Sequence, residues 1–505
     1  MVTAPLQFGP WTPDLPPQGG GITNVRNLYP TVGVSQGQVV YQPVPSPALF
    51  ADASLPDFPR GAAVGLDGFQ SPHVYIGTKE KLFTFDALAR DWKDVSRPTH
   101  PYSSAAYERW RFAQFSNSLL ATNYSDAPQY INMDLGGTFE DLTTLVRGRY
   151  ITQHKQFIVM ANTYDPLDGA QPSRIRWSAQ GNPADWVFSQ STMADFQDWP
   201  DLGPIQGLVS QDDIYLMCRR GIARMHFVGA PWIFSFETVV SGKGVAYPES
   251  IVTVQGRTFF LDDDGFYEFN RGTATPIPIG IGKVNEFFNN SFNPSAVHTM
   301  TTVVDPRRNV ILWTYASKAS TGMVPDTTLV FNYQTGDWTI LDAPAPYLFS
   351  SLSLATLIED LAVYGDISNI PAPFDSPVWA GGVQVLWGVG IDGKIWIQSG
   401  ASLQGIIDTA EIQLSSFDEK ASGDMAMVQT VRPMWFGGGS ALVTIGSRSL
   451  VSQPVGWDTP TTTSPVDGKA YKRNYARYHR IRLTFNGTFS KISGLEIGFV
   501  TGGSR

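Results

Sequence analysis

Cysteine and long helical patterns are almost absent from this chain of 505 residues. The single cysteine, Cys218, excludes an intramolecular disulfide framework and a thiolate zinc site, and it predicts folding in a reducing compartment. No long stretch has the 3.6-residue period of an amphipathic helix, which argues against a mainly helical fold. The first residues have neither a basic nor an apolar leader pattern, and no apolar run is long enough to span a membrane. We therefore expect no signal peptide and no membrane span.

Charge is also scarce, and it is unevenly distributed. Charged residues make up 16 % of the chain against 42 % hydrophobic residues, so a large core can be buried. The net charge of −9 argues against a protein that coats nucleic acid with a basic surface. Residues 403–505 hold 11 Lys and Arg against 8 Asp and Glu, a net +3, which leaves −12 for the remainder. The last hundred residues therefore differ in character from the rest.

Short alternating strands, separated by turns rich in Gly, Pro, Asn and Asp, dominate the chain instead. An aromatic residue, either Trp or Phe, recurs at positions 92, 139, 186 and 232, with separations of 47, 47 and 46 residues. That spacing is typical of the four-stranded blades of a β-propeller. We expect these aromatics to fill the space between blades and to be structural, together with a later Trp in the same context: Trp92, Phe139, Trp186, Trp232 and Trp338.

Each repeat has an apolar strand, a second strand after a turn, and then an aromatic third strand. In "SRIRWSAQGNPADWVFSQ", from Ser173 to Gln190, the third strand is predicted to begin at "DWVF". The seventh unit, "VQVLWGVGIDGKIWIQSG" from residue 383, has no clear last strand, and we expect residues 39–44 to supply it from the N-terminal side. The sequence thus predicts an all-β fold with a propeller of six or seven blades over 61–402. It is preceded by an extended segment at 1–60 and interrupted by an insertion near 343–377.

After Gly400 the strands become longer and their spacing changes. "MVQTVRPMWF", "ALVTIGSRSL" and "YARYHRIRLTF" are examples. This pattern predicts a separate antiparallel sandwich or barrel over 403–505.

Few residues suggest chemistry. The run Asp262, Asp263, Asp264, Gly265 has the carboxylates of a calcium loop or an acid–base pair, but Asp before Gly between two strands favours a hairpin turn. "YQTGDWTI" at 333–340 only partly matches the Asp boxes of sialidases, and the six histidines are far apart. We predict no catalytic residue, no metal ligand and no cofactor, and hence no enzyme.

One stretch, "KAYKRNYARYHRIRLTF", combines cations with tyrosines. Its cations are candidates for contact with DNA phosphates or with an acidic protein partner: Lys469, Lys472, Arg473, Arg477, Arg480 and Arg482. The alternative is a strand with solvated cations on one face and core aromatics on the other.

Several segments together resemble one family. "GITNVRNLYPTVG", "RIRWSAQGNPADW", "GVAYPESIVTVQGRTFFLDDDGFYEF" and the closing "VRPMWF", "VTIGSR" and "RYHRIRLTF" occur in the order seen in tail hub, or nozzle, proteins of short-tailed bacteriophages. These are also called packaged-DNA stabilisation proteins. The similarity runs from about residue 21 to 500 and rests on the order of the segments, since none of them is catalytic.

The resemblance implies a structural virion protein, hexameric around the tail axis below an adaptor ring. It would retain packaged DNA, and double-stranded DNA would leave through its channel. Tail needle, fibre or tailspike proteins would be neighbours, and assembly would take place in the bacterial cytoplasm. Two alternatives from other classes stay open at this point: a propeller glycan hydrolase, and a carbohydrate-binding tail protein that acts on the host surface.

Overall fold

Four-stranded antiparallel sheets follow one another along most of the chain. The computed structural model describes residues 2–502 except 18–20, 34–37, 272, 274, 343–344, 354–360, 362–364, 368–369, 371, 375, 377–378, 380, 420 and 422. Within this described part there are seven such groups of strands, which we call blades 1–7. The fold is therefore an all-β propeller, as the repeat predicted, with a β-sandwich attached.

Each blade is a meander in which every strand pairs with the next one named. Blade 1 consists of Gly61–Leu66, Pro72–Gly77, Leu82–Asp86 and Asp91–Asp94, and blade 2 of Arg111–Phe115, Ser118–Thr122, Gln129–Asn132 and Glu140–Asp141. Blade 3 consists of Arg147–His154, Phe157–Asp165, Gly169–Trp177 and Asp195–Asp198, and blade 4 of Ile205–Ser210, Ile214–Cys218, Gly221–Phe227 and Phe234–Ser241. Blade 5 consists of Val252–Val254, Arg257–Asp262, Gly265–Asn270 and Ile277–Pro278, and blade 6 of Thr301–Asp305, Val310–Tyr315, Thr327–Asn332 and Trp338–Asp342. Blade 7 consists of Tyr347–Leu352, Gln384–Val389, Lys394–Ser402 and Pro45–Ser54.

Among the described residues, the helical elements are short. An α-helix spans Asn285–Ser291, and 3-10 turns span Pro200–Leu202, Pro248–Ser250, Pro294–Thr299 and Leu414–Phe417. No helix in the described ranges is long and apolar enough to cross a membrane.

The predicted Asp-Gly turn is confirmed in blade 5. Asp262 pairs with Gly265 across the hairpin. Gly265 has φ +139°, and a Cβ there would lie 1.9 Å from the side-chain amide nitrogen of Asn285, so only glycine fits. Asn285 in turn donates to the Asp264 carbonyl at 3.0 Å. The acidic run is therefore a turn fixed by the following helix.

The gaps between neighbouring blades hold the core. In the part of the chain that the structure describes, the buried apolar residues form seven clusters, one in each gap around the ring. The cluster between blades 7 and 1 contains Trp387 and Val389 from one blade and Val74 and Ile76 from the other. Because each sheet buries both faces against its neighbours, no blade can be stable alone.

The ring is closed by a strand from the N-terminal segment, but not by the predicted one. Pro45–Ser54 pairs with Lys394–Ser402 as the outer strand of blade 7. Residues 39–44 were expected there, and that prediction is wrong. Val39–Pro43 instead pairs with Leu28–Val32 and contacts the long C-terminal strand Phe489–Thr501.

The sandwich is built from both ends of the chain. Its first sheet contains Val2–Gln7, Leu28–Val32, Val39–Pro43, Ala426–Gly437, Ala470–Ala476 and Phe489–Thr501. Its second sheet contains Ile22–Arg26, Gly405–Thr409, Ser440–Arg448, Gly456–Trp457, Thr461–Thr462 and Tyr478–Asn486.

The sandwich predicted over 403–505 is present, but it is not separate from the rest of the chain. Ile22–Arg26 pairs with Gly405–Thr409 on one side and, through Arg26 and Ile340, in parallel with the outer strand of blade 6 on the other. Blade 6 and the second sheet thus form one continuous ten-stranded sheet. A single apolar cluster also joins blades 5 and 6 to the sandwich.

About half of the insertion predicted near 343–377 lies outside the described residues. Within it, Tyr347–Leu352 is the first strand of blade 7.

Candidate functional site

The structure places the five predicted blade aromatics differently. Phe139, Trp186 and Trp338 are fully buried, and Trp92 is half-buried against the cluster between blades 7 and 1. Trp232 is 79 % exposed, so its assignment to an equivalent place in blade 4 is wrong.

The buried place in blade 4 belongs to Phe234, two residues later. Phe234 begins the outer strand and packs edge-on against Trp177 of blade 3, with ring centroids 5.1 Å apart. The aromatic spacing favoured Trp232, whereas the strand begins only after the turn that holds that residue.

Trp186 is buried for a reason that the sequence did not show. "DWVF" is not a strand; it belongs to the long connection before Asp195–Asp198, the true outer strand of blade 3. The Trp186 ring fills the gap between blades 2 and 3, and its carbonyl accepts from Arg176 at 3.2 Å.

The neighbouring Arg174 is held by three carboxylates: Asp165 at 3.0 Å, Asp198 at 2.7 Å and Asp168 at 2.5 Å. Hydrogen bonds from Arg174 to Asp198 and Asp168 raise the Arg174 pKa against the opposing effect of burial. The two arginines of "RIRW" are therefore scaffold residues.

The predicted basic stretch is divided between the two sheets of the sandwich. Ala470–Ala476 is an edge strand of the first sheet, and Tyr478–Asn486 lies within the second. Four of the six cations are engaged: Lys472 donates to Asp458 and Arg482 to Asp408, Arg477 is paired with Asp424, and Arg480 donates to the Thr23 hydroxyl.

Lys469 and Arg473 form no ion pair among the described residues. Tyr471 and Tyr475 are 62 % and 54 % exposed beside them. The structure therefore does not assemble the six cations into one surface.

A cavity on the propeller axis is a feature that the sequence did not predict. It measures about 490 Å³ and is lined by the first strands of blades 1, 2, 5, 6 and 7. A smaller pocket of about 120 Å³ adjoins it beside blades 3 and 4. The charged lining residues of the larger cavity are three arginines and one acid: Arg60, Arg109, Arg111 and Glu249. In a chain of net charge −9, this cavity is locally basic.

Two of these arginines reach across the ring from blade 2. Arg109 donates to the carbonyls of His298 and Met300, just before blade 6, at 2.7 and 2.8 Å. Arg111 donates to Glu249, just before blade 5, at 2.6 Å. Trp110 between them points away and donates to the Thr78 carbonyl at 2.8 Å. The alternation of side chains from Arg109 into the strand Arg111–Phe115 thus directs two guanidinium groups over the cavity.

Arg60 completes the basic group. It donates to the carbonyls of Ser104 and Ala105 at 2.9 and 2.6 Å. Burial lowers the Arg60 pKa and the charge of Arg109 lowers it further, while Asp57 and Glu108 oppose the change. Burial also lowers the pKa of His298, with Arg109 and Arg60 adding to the effect. Burial is the main cause of both pKa shifts, and the positive charges of neighbouring arginines add to it.

Chemically, this lining offers guanidinium donors, hydroxyls and one carboxylate that is already paired. No cluster of three or more metal-ligating side chains was found among the described residues. The arrangement is suited to anion binding.

A sequence signal for this site existed. Arginines alternate at the start of the first strand in blade 2, "RWR", and blade 3, "RGR", and Arg60 stands just before blade 1. The aromatic repeat at the rim of the blades is the more regular pattern, so the sequence predicted the outer parts of the blades and not the site at the axis.

Comparison with known proteins assigns no family to the chain. No protein-family model and no curated protein matches the chain. Among solved structures, BamB from Moraxella catarrhalis is similar at 14 % identity and TM-score 0.35, covering 71 % of this chain and 97 % of that one. YCF48 bound to D1 peptide is similar at 12 % identity and TM-score 0.35, covering 70 % and 97 %.

The extracellular domain of BT4673 from B. thetaiotaomicron is similar at 15 % identity and TM-score 0.39, covering 80 % of this chain but 45 % of that one. This chain therefore matches less than half of that structure's length. Fold and site together define the class: an all-β propeller fused to a sandwich, with a basic axial cavity.

Proposed function

We propose that the chain is a structural subunit of the tail hub, or nozzle, of a short-tailed bacteriophage. Six copies surround the tail axis below an adaptor ring, retain the packaged DNA and form the channel through which it leaves.

The observation that carries it is where the resembling segments lie. "RIRWSAQGNPADW" forms the end of the third strand of blade 3 and the connection that ends at the buried Trp186, and "VTVQGRTFFLDDDGFYEF" forms the first three strands of blade 5. "VRPMWF", "VTIGSR" and "RYHRIRLTF" are strands of the sandwich. The similarity thus follows the scaffold of the molecule, as expected for a protein whose role is structural.

The continuous sheet supports the same role. Blade 6 and the sandwich share one sheet and one apolar cluster, so force applied to the sandwich is transmitted directly to the ring. A subunit that holds back packaged DNA needs such rigidity.

The proposed DNA channel lies between subunits and not along the propeller axis. Arg109 and Arg111 span that axis from blade 2 to blades 6 and 5, which leaves no passage for a duplex. The net charge of −9 per chain, multiplied around a ring, would repel DNA from the channel wall and favour sliding over binding.

The test is genetic disruption of this chain in the phage that encodes it. We expect particles that package DNA and then lose it, with tails that end at the adaptor. Supplying the wild-type chain in trans should restore DNA retention, and so should the Trp232→Ala variant, which alters only an exposed side chain. Particles that lack the chain and still keep their DNA and complete tails would refute the proposal.

A further inference from the structure

We propose that the axial cavity binds a small molecule through one phosphate or carboxylate group, held between the guanidinium groups of Arg60 and Arg109. This inference goes beyond the nozzle function and does not depend on it.

Unbalanced positive charge is the first feature that supports the site. Glu249, the one acid that lines the cavity, is already paired with Arg111 at 2.6 Å. Glu108 contacts Arg149 at 3.7 Å and accepts from the Ser125 hydroxyl, and Asp57 is exposed. Arg60 and Arg109 form no ion pair in the described part of the chain. Carbonyl partners orient a guanidinium group but do not neutralise it, so two partly buried positive charges remain.

Free hydrogen-bond donors are the second feature. Arg109 uses Nε and one terminal nitrogen for the two carbonyls, and Arg60 uses one terminal nitrogen for its acceptors. Among the described residues, nothing accepts from the remaining N–H groups of these two side chains. Guanidinium N–H groups match the paired oxygens of a phosphate or carboxylate, and such charge-assisted bonds are stronger than neutral ones.

Preorganisation of the two arginines is the third feature. The two carbonyl bonds fix Arg109 on the far side of the ring, and its guanidinium carbon lies 5.9 Å from the centre of the Tyr347 ring. The carbonyls of Ser104 and Ala105 fix Arg60. Side chains that are already ordered lose little entropy on binding, which favours affinity.

The size of the cavity indicates more than a bare ion. At about 490 Å³ it lies within the range of small-molecule sites. Thr302, Ser350 and Gln384 add hydroxyl and amide groups to its wall, while Ala62 and Val304 add apolar surface. The body of the ligand would contact these groups while its anionic end contacts the arginines.

Isothermal titration calorimetry on the full chain tests the inference. Inorganic phosphate and acetate are the probes, with ionic strength held constant by NaCl. We expect saturable binding of at least one probe at one site, weakened at least tenfold by Arg60→Gln. The Arg271→Gln control, an exposed arginine paired with Asp212 outside the cavity, should bind as the wild type does. Tighter binding of phosphate would indicate a phosphorylated ligand, and tighter binding of acetate a carboxylated one.

Absence of saturable binding to either probe, or equal weakening in the Arg60 and Arg271 variants, would overturn the inference. If Arg60→Gln failed to fold by circular dichroism, crystals of the wild-type protein soaked in phosphate would decide. Density for an anion between Arg60 and Arg109 supports the site, and its absence there refutes it.

Discussion

Replacing Trp338 by alanine should strongly destabilise the whole molecule. Trp338 is fully buried in the outer strand of blade 6, at the junction with the sandwich. Its ring packs on Phe331, Phe266 and Trp313, with centroids 4.6, 5.1 and 5.7 Å away. Its indole N–H donates to the Ile279 carbonyl at 3.2 Å. The substitution removes these contacts and leaves that carbonyl without its donor.

The magnitude follows from the buried area. A fully buried Trp removes roughly 200 Å² from water, worth about 5 kcal/mol at about 25 cal/mol per Å². Partial collapse of the site recovers some of this, so we expect a loss of about 3–5 kcal/mol in the free energy of unfolding. Because blade 6 and the sandwich share one cluster, both should lose stability together.

The matched control is Trp232→Ala, which removes the same side chain from an exposed turn. We expect a change within about 0.5 kcal/mol. Urea unfolding followed by far-ultraviolet circular dichroism measures both variants without relying on tryptophan fluorescence. Similar losses in the two variants, or a Trp338→Ala protein in which the sandwich keeps its full stability, would refute the reasoning.

The remaining predictions concern pH, ring closure and DNA. Burial lowers the pKa of His479 from 6.5 to about 4, so the unfolded chain binds this proton more readily, and stability should fall as pH drops from 6.5 towards 4. The expected loss in the free energy of unfolding is about 3 kcal/mol. Urea unfolding at a series of pH values should show a weaker pH dependence of stability for His479→Phe than for the wild type. Equal pH dependence in the two proteins would contradict this role of His479. Phe50→Ala should cost about 3 kcal/mol and increase hydrogen exchange in blades 7 and 1, since Phe50 packs on Trp387 at 5.0 Å in the closing strand; unchanged protection would contradict that role. The purified protein should bind duplex DNA weakly at physiological salt in a filter-binding assay, because four of the six basic-stretch cations are engaged within the protein; tight, salt-sensitive binding abolished by Arg473→Glu would instead indicate an active DNA grip.

The strands of the blades were predictable because their signals are local. Alternating apolar residues and Asp-Gly turns lie within a few residues of each other, as in the hairpin at Asp262 and Gly265. The aromatic spacing also counted the first four blades correctly, because each of those residues lies close to or within the outer part of its blade.

The pairing of distant segments was not predictable in the same way. Pro45–Ser54 and Lys394–Ser402 are far apart in sequence, and nothing local distinguishes Pro45–Ser54 from the preceding strand Val39–Pro43, which joins the sandwich. Both strands are apolar enough to be buried, and only the three-dimensional ring decides between them. The same holds for Ile22–Arg26, which connects blade 6 to the second sheet.

The axial site was predictable from the sequence only in part. The alternation of Arg109 and Arg111 around Trp110 is a local pattern, and it predicts that both arginines share one face of a strand. That the face is turned to the axis, and that Glu249 and Met300 stand opposite, follows only from closure of the ring.

Native mass spectrometry of tail assemblies released from virions tests the central claim most directly. The nozzle account predicts a ring of six copies of the 55.4 kDa chain, roughly 330 kDa, attached to the adaptor. Tails that contain no copy of this chain, or only a single copy, would contradict it.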